Sequence, residues 1–180
     1  MNLFVMRHGT TVWNEKGITQ GQSQNRLSKN GIMLVKNQAK KYANQKFDII
    51  VCSPLMRTVQ TANIMNFYHN VKIVKDQKLI EVDQGYFTGK RKDNLTNFEL
   101  TSKNARSKEF GMEGFDEVEI SVRDFLKTLK QKYPYENVLI VTHNVNATFI
   151  DYILRNEPFN AKKYSSLKIF ENAEIKSYKF

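Results

Sequence analysis

The stretch Asp48-Ile49-Ile50-Val51-Cys52-Ser53-Pro54-Leu55-Met56-Arg57 decides how this chain folds. A short apolar run without alternation reads as a strand buried on both faces. Ser53 followed by Pro54 reads as an N-cap with proline at the first helical position, and Leu55, Val59 and Ala62 share one face of the helix beyond. The same pattern recurs on either side. Residues 2–7 begin as an apolar run that stops at Gly9, and from Ser28, a second N-cap, Ile32, Val35, Ala39 and Tyr42 return at helical spacing to about Asn44. Residues 71–74 make a short candidate strand. Val118, Val122, Phe125 and Leu129 mark a helix ending before Pro134, and residues 138–142 (Val-Leu-Ile-Val-Thr) are the most apolar short strand, followed by a helix to about Leu154. Residues 167–170 and 174–180 read as two closing strands. Apolar strands interleaved with amphipathic helices predict an α/β fold, a three-layer α/β/α sandwich with a mainly parallel central sheet.

Length and charge narrow the class. At 180 residues, with no repeat and no Pro/Gly/Ser linker, residues 1–180 read as a single domain. Hydrophobic residues make up 41%, enough for a packed core and against disorder. The single cysteine, Cys52, permits no intrachain disulfide and no cysteine-based zinc site, and points to a reducing, cytoplasmic setting. The N-terminal apolar run ends at Arg7, too short for a signal peptide or membrane span. Against 18 Asp+Glu the chain carries 28 Lys+Arg, a net charge of +10. Such a surface suits nucleic acid, anionic membrane or phosphorylated metabolites, and charge alone does not choose among them.

Ligands of such sheets sit beyond the carboxyl ends of the strands. Arg7-His8-Gly9-Thr10, Ser53-Pro54 with Arg57, and His143-Asn144 all follow strands, so two of the three histidines and two arginines converge on one edge. That set supplies an anion clamp beside a nucleophile or base. The short triplet Arg-His-Gly alone is a weak signal; its repetition of polar chemistry at three strand ends is a stronger one.

The residues also carry a family resemblance. Arg7-His8-Gly9-Thr10, continuing through Asn14, Gly17, Gln20-Gly21, Leu27-Ser28 and Gly31, resembles the signature of the histidine phosphatase superfamily, in its phosphoglycerate mutase-like branch. Ser53-Pro54-Leu55 with Arg57-Thr58 and Gln60-Thr61-Ala62 is similar to the family's second block, and Leu79, Glu81, Gly85, Phe87 and Gly89 to its third. Val141-Thr142-His143 is similar to the fourth. The resemblance implies that His8 is a nucleophile forming a phosphohistidine, with Arg7, Arg57 and His143 holding phosphate oxygens. It places the general acid at Glu81, which Ile80 and Val82 would help to desolvate. Asn14, Gln20, Gly21 and Asn144 are candidate substrate-binding residues. No metal ligand set and no cofactor is expected, arginines meeting the phosphate charge instead.

The chain departs from the family pattern at several rim positions. Gln24 and Arg26 stand where relatives have Asp and Pro, Gly114-Phe115-Asp116 replaces a common Gly-Glu-Ser block, and Asn144 stands where glycine is usual, tolerable in a left-handed backbone. The length leaves little for the inserted segments of mutases, so the expected activity is hydrolysis of a small phosphomonoester metabolite, with mutase-type phosphotransfer as the alternative. Residues 89–115 are expected to form a lid, with Lys90, Arg91, Lys92, Lys103, Arg106 and Lys108 giving it basic character or merely solvating it. Between Arg26 and Lys46 there are six cations and no acid, which admits a third reading, a nucleic-acid or acidic-partner binding protein. No RNA- or DNA-binding motif accompanies that face. Cys52 is expected in the core and His69 in a loop or at the surface, and Trp13 either packs against the base of the nucleophile loop or lines the pocket mouth.

Overall fold

The computed structural model describes residues 1–104, 106–133, 137–158 and 170–180. In chain order the elements are β1 (Asn2–Arg7), α1 (Val12–Glu15), α2 (Lys29–Lys41), β2 (Ile49–Cys52), α3 (Met56–Met65), β3 (Lys72–Lys75), α4 (Asn97–Asn104), α5 (Phe115–Lys132), β4 (Asn137–Thr142), α6 (Asn144–Leu154) and β5 (Ile175–Lys179), with short 3₁₀ turns between. The sheet runs β3-β2-β4-β1-β5, parallel throughout except for the antiparallel edge pair β1 with β5.

Side-chain alternation divides the core into two layers. Leu3 and Val5 of β1, Ile49 and Val51 of β2, and Val138 and Ile140 of β4 face α5 and α6, where they meet Val122, Phe125, Phe149 and Ile150. Their neighbours Phe4, Met6, Ile50, Cys52, Leu139 and Val141 face α2 and α3, against Val35, Ala39, Ala62 and Met65. Both faces are covered, which is why the central positions of these strands are apolar without alternation. Each such fully buried aliphatic side chain contributes about 1.5–3 kcal/mol. The three-layer sandwich with a mainly parallel sheet is thus the fold observed.

Boundaries differ from the sequence reading in instructive places. Ser28 does cap α2, its hydroxyl accepting from Gly31 N at 3.0 Å, but α2 stops at Lys41. Ser53 is not the cap of α3: Leu55 is, and its side chain makes no cap hydrogen bond. The amide of Met56 instead donates to Gln24 Oε1 at 2.9 Å, so the loop residue that departs from the family pattern caps α3 from outside the helix. Asn144 opens α6 behind the N-cap His143, and its φ is not positive, so no left-handed tolerance is needed there. Of the expected strand at 167–170, residues 167–169 lie outside the described residues, as does Pro134; Phe170 is a bend. His69 sits in a turn, as expected of a loop residue, half-buried with its ring 4.7 Å from that of Phe47. Cys52 is buried as expected, and desolvation pushes its thiol up to about 11.

Candidate active site at the carboxyl edge of the sheet

Parallel register brings the two histidines together. Arg7 pairs with Thr142 across β1 and β4, and His8 N donates to Thr142 O at 2.9 Å, so His8 and His143 leave adjacent strands side by side. Their ring centroids are 5.3 Å apart at an interplanar angle of 62°. Both are buried, at 2% and 0% exposure. Gly9 N donates to Thr61 Oγ1 at 3.1 Å, and Thr61 Oγ1 donates to Arg57 O at 2.8 Å, which fixes the nucleophile loop to α3.

The tautomer of His8 follows from its partner. Nδ1 lies 2.7 Å from Gly9 O, and a carbonyl can only accept, so Nδ1 carries the proton and Nε2 keeps its lone pair. Burial, then the charges of Arg57 and Arg7, hold the imidazole well below its ordinary value, against the opposing pull of the Gly9 carbonyl. His8 is therefore neutral at pH 7. His143 is lowered in the same way, by burial first and then by Arg57, His8 and Arg7. Its Nε2 lies 2.8 Å from Ser53 Oγ, and its Nδ1 is buried without a partner among the described residues.

Arg57, on the first turn of α3, is 1% exposed. Nη1 donates to Ser23 O and Nη2 to Gly21 O, both at 2.8 Å. Gly21 has φ +48, and a Cβ there would come within 2.7 Å of Thr88 Oγ1, so only glycine brings that carbonyl to the arginine without strain. Two of five guanidinium N–H groups are thus spent on the loop, and three remain, Nε among them. Burial brings Arg57 down to about 10, still charged at neutral pH. Arg7 is held from the opposite side, Nη1 donating to Phe170 O at 2.7 Å.

Glu81 stands between two 3₁₀ turns pinned to the sheet. Thr142 Oγ1 donates to Leu79 O at 3.1 Å and Asn146 Nδ2 to Ile80 O at 2.9 Å. Its Oε1 accepts from Val82 N at 3.0 Å. Desolvation raises the Glu81 carboxyl above its ordinary value, while Arg57, the Val82 amide, Arg7 and Arg106 pull it down. The net direction is upward, which favours the protonated carboxyl.

The remaining candidates sit nearby with structural work to do. Asn14 and Thr11 form the capping box of α1, Thr11 N donating to Asn14 Oδ1 at 3.0 Å and Asn14 N to Thr11 Oγ1 at 3.1 Å. Gln20 Oε1 accepts from Thr11 Oγ1 at 2.9 Å. Trp13 lies against Gly89, whose Cβ position is 3.7 Å from the indole. The side chain of Asn144 begins α6, whose N-terminal amides face the same edge as His143.

The expected lid is tied back onto the nucleophile loop. Thr19 N donates to Lys90 O and Gly89 N to Thr19 O, both at 2.9 Å. Its cations are largely occupied: Lys90 lies 3.1 Å over the Tyr86 ring and 3.7 Å from Glu99, Arg91 pairs with Asp93, Lys108 with Glu117, and Lys103 donates to Thr19 Oγ1. Arg106 is the exception in kind. It is 8% exposed, donates to Asp83 O at 2.7 Å and to Glu113 O, and its charge reaches Glu81.

Sequence reading missed three of these roles: the Ser53 contact to His143, the Thr61 bridge and the burial of Arg106. Ser53 and Thr61 lay inside the quoted motif block, but only strand register shows what their hydroxyls meet. Among the described residues, no group of three or more His, Cys, Asp or Glu comes together to hold a metal ion, and no helix is long and apolar enough to cross a membrane.

Comparison with known proteins identifies the family and the fold. The family model of the histidine phosphatase superfamily (branch 1) matches residues 3–180. Phosphoserine phosphatase 1 of Hydrogenobacter thermophilus is 28% identical over 151 residues, 81% of this chain and 72% of its own. The alpha-ribazole phosphatase of Shigella flexneri superposes with a TM-score of 0.85 at 23% identity, over 98% of this chain and 89% of that one. A phosphoglycerate mutase of Bacillus anthracis does so with a TM-score of 0.80 at 22% identity, over 98% and 86%. Phosphatases and a mutase thus share this fold.

Proposed function

Because the chain belongs to the histidine phosphatase superfamily, branch 1, we propose that it hydrolyses a small phosphomonoester through a phosphohistidine on His8. The observation that carries this reading is the state of His8: neutral, with Nδ1 donating to Gly9 O and Nε2 left as a lone pair beside two arginines and a second imidazole. In the first step the Nε2 lone pair attacks phosphorus, the P–O bond to the leaving group breaks, and protonated Glu81 delivers its proton to the departing alkoxide. In the second, the Glu81 carboxylate takes a proton from water as it attacks the phosphohistidine, releasing inorganic phosphate and regenerating neutral His8. Arg7 and the three uncommitted N–H groups of Arg57 hold the non-bridging oxygens. Asn14 Nδ2, opposite the oxygen spent on the α1 cap, and the first amides of α6 are further donors for that anion.

The relatives named for phosphoserine and for alpha-ribazole phosphate support a phosphomonoester substrate without choosing one, since the site built here reads mainly the phosphoryl group. The test is release of phosphate from p-nitrophenyl phosphate and a panel of phosphorylated metabolites by wild type and His8→Ala, with acid-labile, alkali-stable phosphate on His8 sought by mass spectrometry. Loss of turnover in His8→Ala supports the reading. Equal turnover in that variant overturns it, and transfer of phosphate between metabolites with no net release assigns the mutase-type reaction instead.

A further inference from the structure

Ser53 lies between the end of β2 and the start of α3 and is fully buried. Its backbone is held at both ends, Ser53 N donating to Val141 O at 3.1 Å and Thr58 Oγ1 donating to Ser53 O at 2.9 Å. Its hydroxyl has two neighbours. Leu55 N donates to Oγ at 3.3 Å, and His143 Nε2 lies 2.8 Å away.

A hydroxyl has one proton to give, and among the described residues Ser53 Oγ has no acceptor except His143 Nε2. An amide N–H already points at the oxygen, so the Ser53 proton goes to the imidazole. A neutral imidazole that accepts at Nε2 carries its own proton on Nδ1. That atom is buried and has no partner among the described residues, an arrangement that costs free energy unless a ligand completes it. The two rings are therefore set in the same tautomer by opposite devices. On His8 a carbonyl accepts from Nδ1 and leaves Nε2 bare; on His143 a hydroxyl donates to Nε2 and leaves Nδ1–H unsatisfied.

We infer that Ser53 is a positioning residue: it fixes His143 as the Nδ1–H tautomer and holds that N–H as an uncharged donor for the phosphoryl group on His8. The destination of the N–H rests on the proposed function; the tautomer does not. Without the Ser53 hydroxyl, Nε2 is free to take the proton and the donor is lost from a fraction of molecules. A group that sets the tautomer of a reacting imidazole acts mainly on turnover, with an effect of about ten- to a hundredfold.

The test begins with the resting wild-type protein labelled with nitrogen-15 histidine. Long-range nitrogen–proton correlation spectra are expected to show His143 with a protonated Nδ1 and a hydrogen-bonded, unprotonated Nε2; a protonated Nε2 overturns the inference without any assay of activity. Ser53→Ala is then expected to lose that signature, to lower kcat about ten- to a hundredfold with KM little changed, and to weaken orthovanadate inhibition in parallel, while Ser53→Thr restores all three. Wild-type kcat in Ser53→Ala, or a folded Ser53→Thr that fails to recover, overturns it. If Ser53→Ala does not fold, the wild-type spectrum alone decides. Failure of the His8→Ala test would remove the reaction but leave the measured tautomer standing.

Discussion

Replacing Arg57 with lysine separates its two jobs. The guanidinium bridges Ser23 O and Gly21 O at 2.8 Å each while fully buried. A lysine keeps the charge but brings a single nitrogen in place of the two-armed fork; Ser23 O also accepts from Asn25 N at 3.1 Å, so Gly21 O is the carbonyl that loses its donor. An orphaned buried acceptor costs about 1–3 kcal/mol, and at this chain length each kcal/mol lowers Tm by about 2–4 °C. Arg57→Lys should therefore lose about 1–3 kcal/mol in urea titration with an unchanged m-value. Loss of the planar fork facing the phosphate should lower kcat/KM for p-nitrophenyl phosphate by about a hundredfold or more. A stability change under about 0.5 kcal/mol refutes the claim that these carbonyl contacts hold the 20–23 loop. Wild-type kcat/KM in a destabilised protein refutes the phosphate role and leaves Arg57 purely structural.

Three further outcomes follow from the same geometry. Glu81→Gln should slow hydrolysis of an alkyl phosphate far more than that of p-nitrophenyl phosphate, whose leaving group needs little protonation, and should remove the alkaline limb of the wild-type kcat/KM profile; equal losses on both substrates would count against Glu81 as the acid. His8, His143 and His69 all have folded values below 6.5, so the unfolded chain binds more protons than the native one as pH drops below 6.5. Their stabilising contribution is complete above pH 6.5 and is lost on acidification, at up to about 1.4 kcal/mol per pH unit for each of the buried His8 and His143 and by less for His69, which solvent screens; urea stability that stays flat from pH 7 to 5.5 would contradict this. Gly31→Ala places a Cβ 1.9 Å from Thr10 O, beside the nucleophile loop, and should cost about 1–3 kcal/mol by thermal or urea melting together with a loss of turnover.

The local part of this protein was legible in its residues. Periodicity gave both layers of helices and all five strands among the described residues close to their observed bounds, because the burial of a strand on two faces or of a helix on one leaves a repeat in the sequence. The strand-end motifs placed Arg7, His8, Arg57 and His143 at one edge for the same reason, Arg57 on the first turn of the helix after its strand and the others at or just beyond an apolar run, while Glu81 came from the family resemblance. Gln24 capping α3, Thr61 tying the nucleophile loop to α3, and Ser53 meeting His143 lay beyond that reach. Ser53 was read as a helix cap because Ser-Pro is a local cap signal, yet the helix starts two residues later and the hydroxyl turns to a residue ninety positions away.

What the sequence by itself determined was therefore the sheet, its two apolar faces and the chemical types gathered at its carboxyl edge. Tertiary structure alone decided the protonation of that chemistry. The carbonyl on the His8 ring belongs to the next residue in the chain, but only the pairing of β4 between β1 and β2 brings the Ser53 hydroxyl to the second ring, and only burial beside two guanidinium groups keeps both rings neutral. The partner of His143 and the desolvation of both rings are properties of neighbours brought together in space, so no single stretch of chain encodes them.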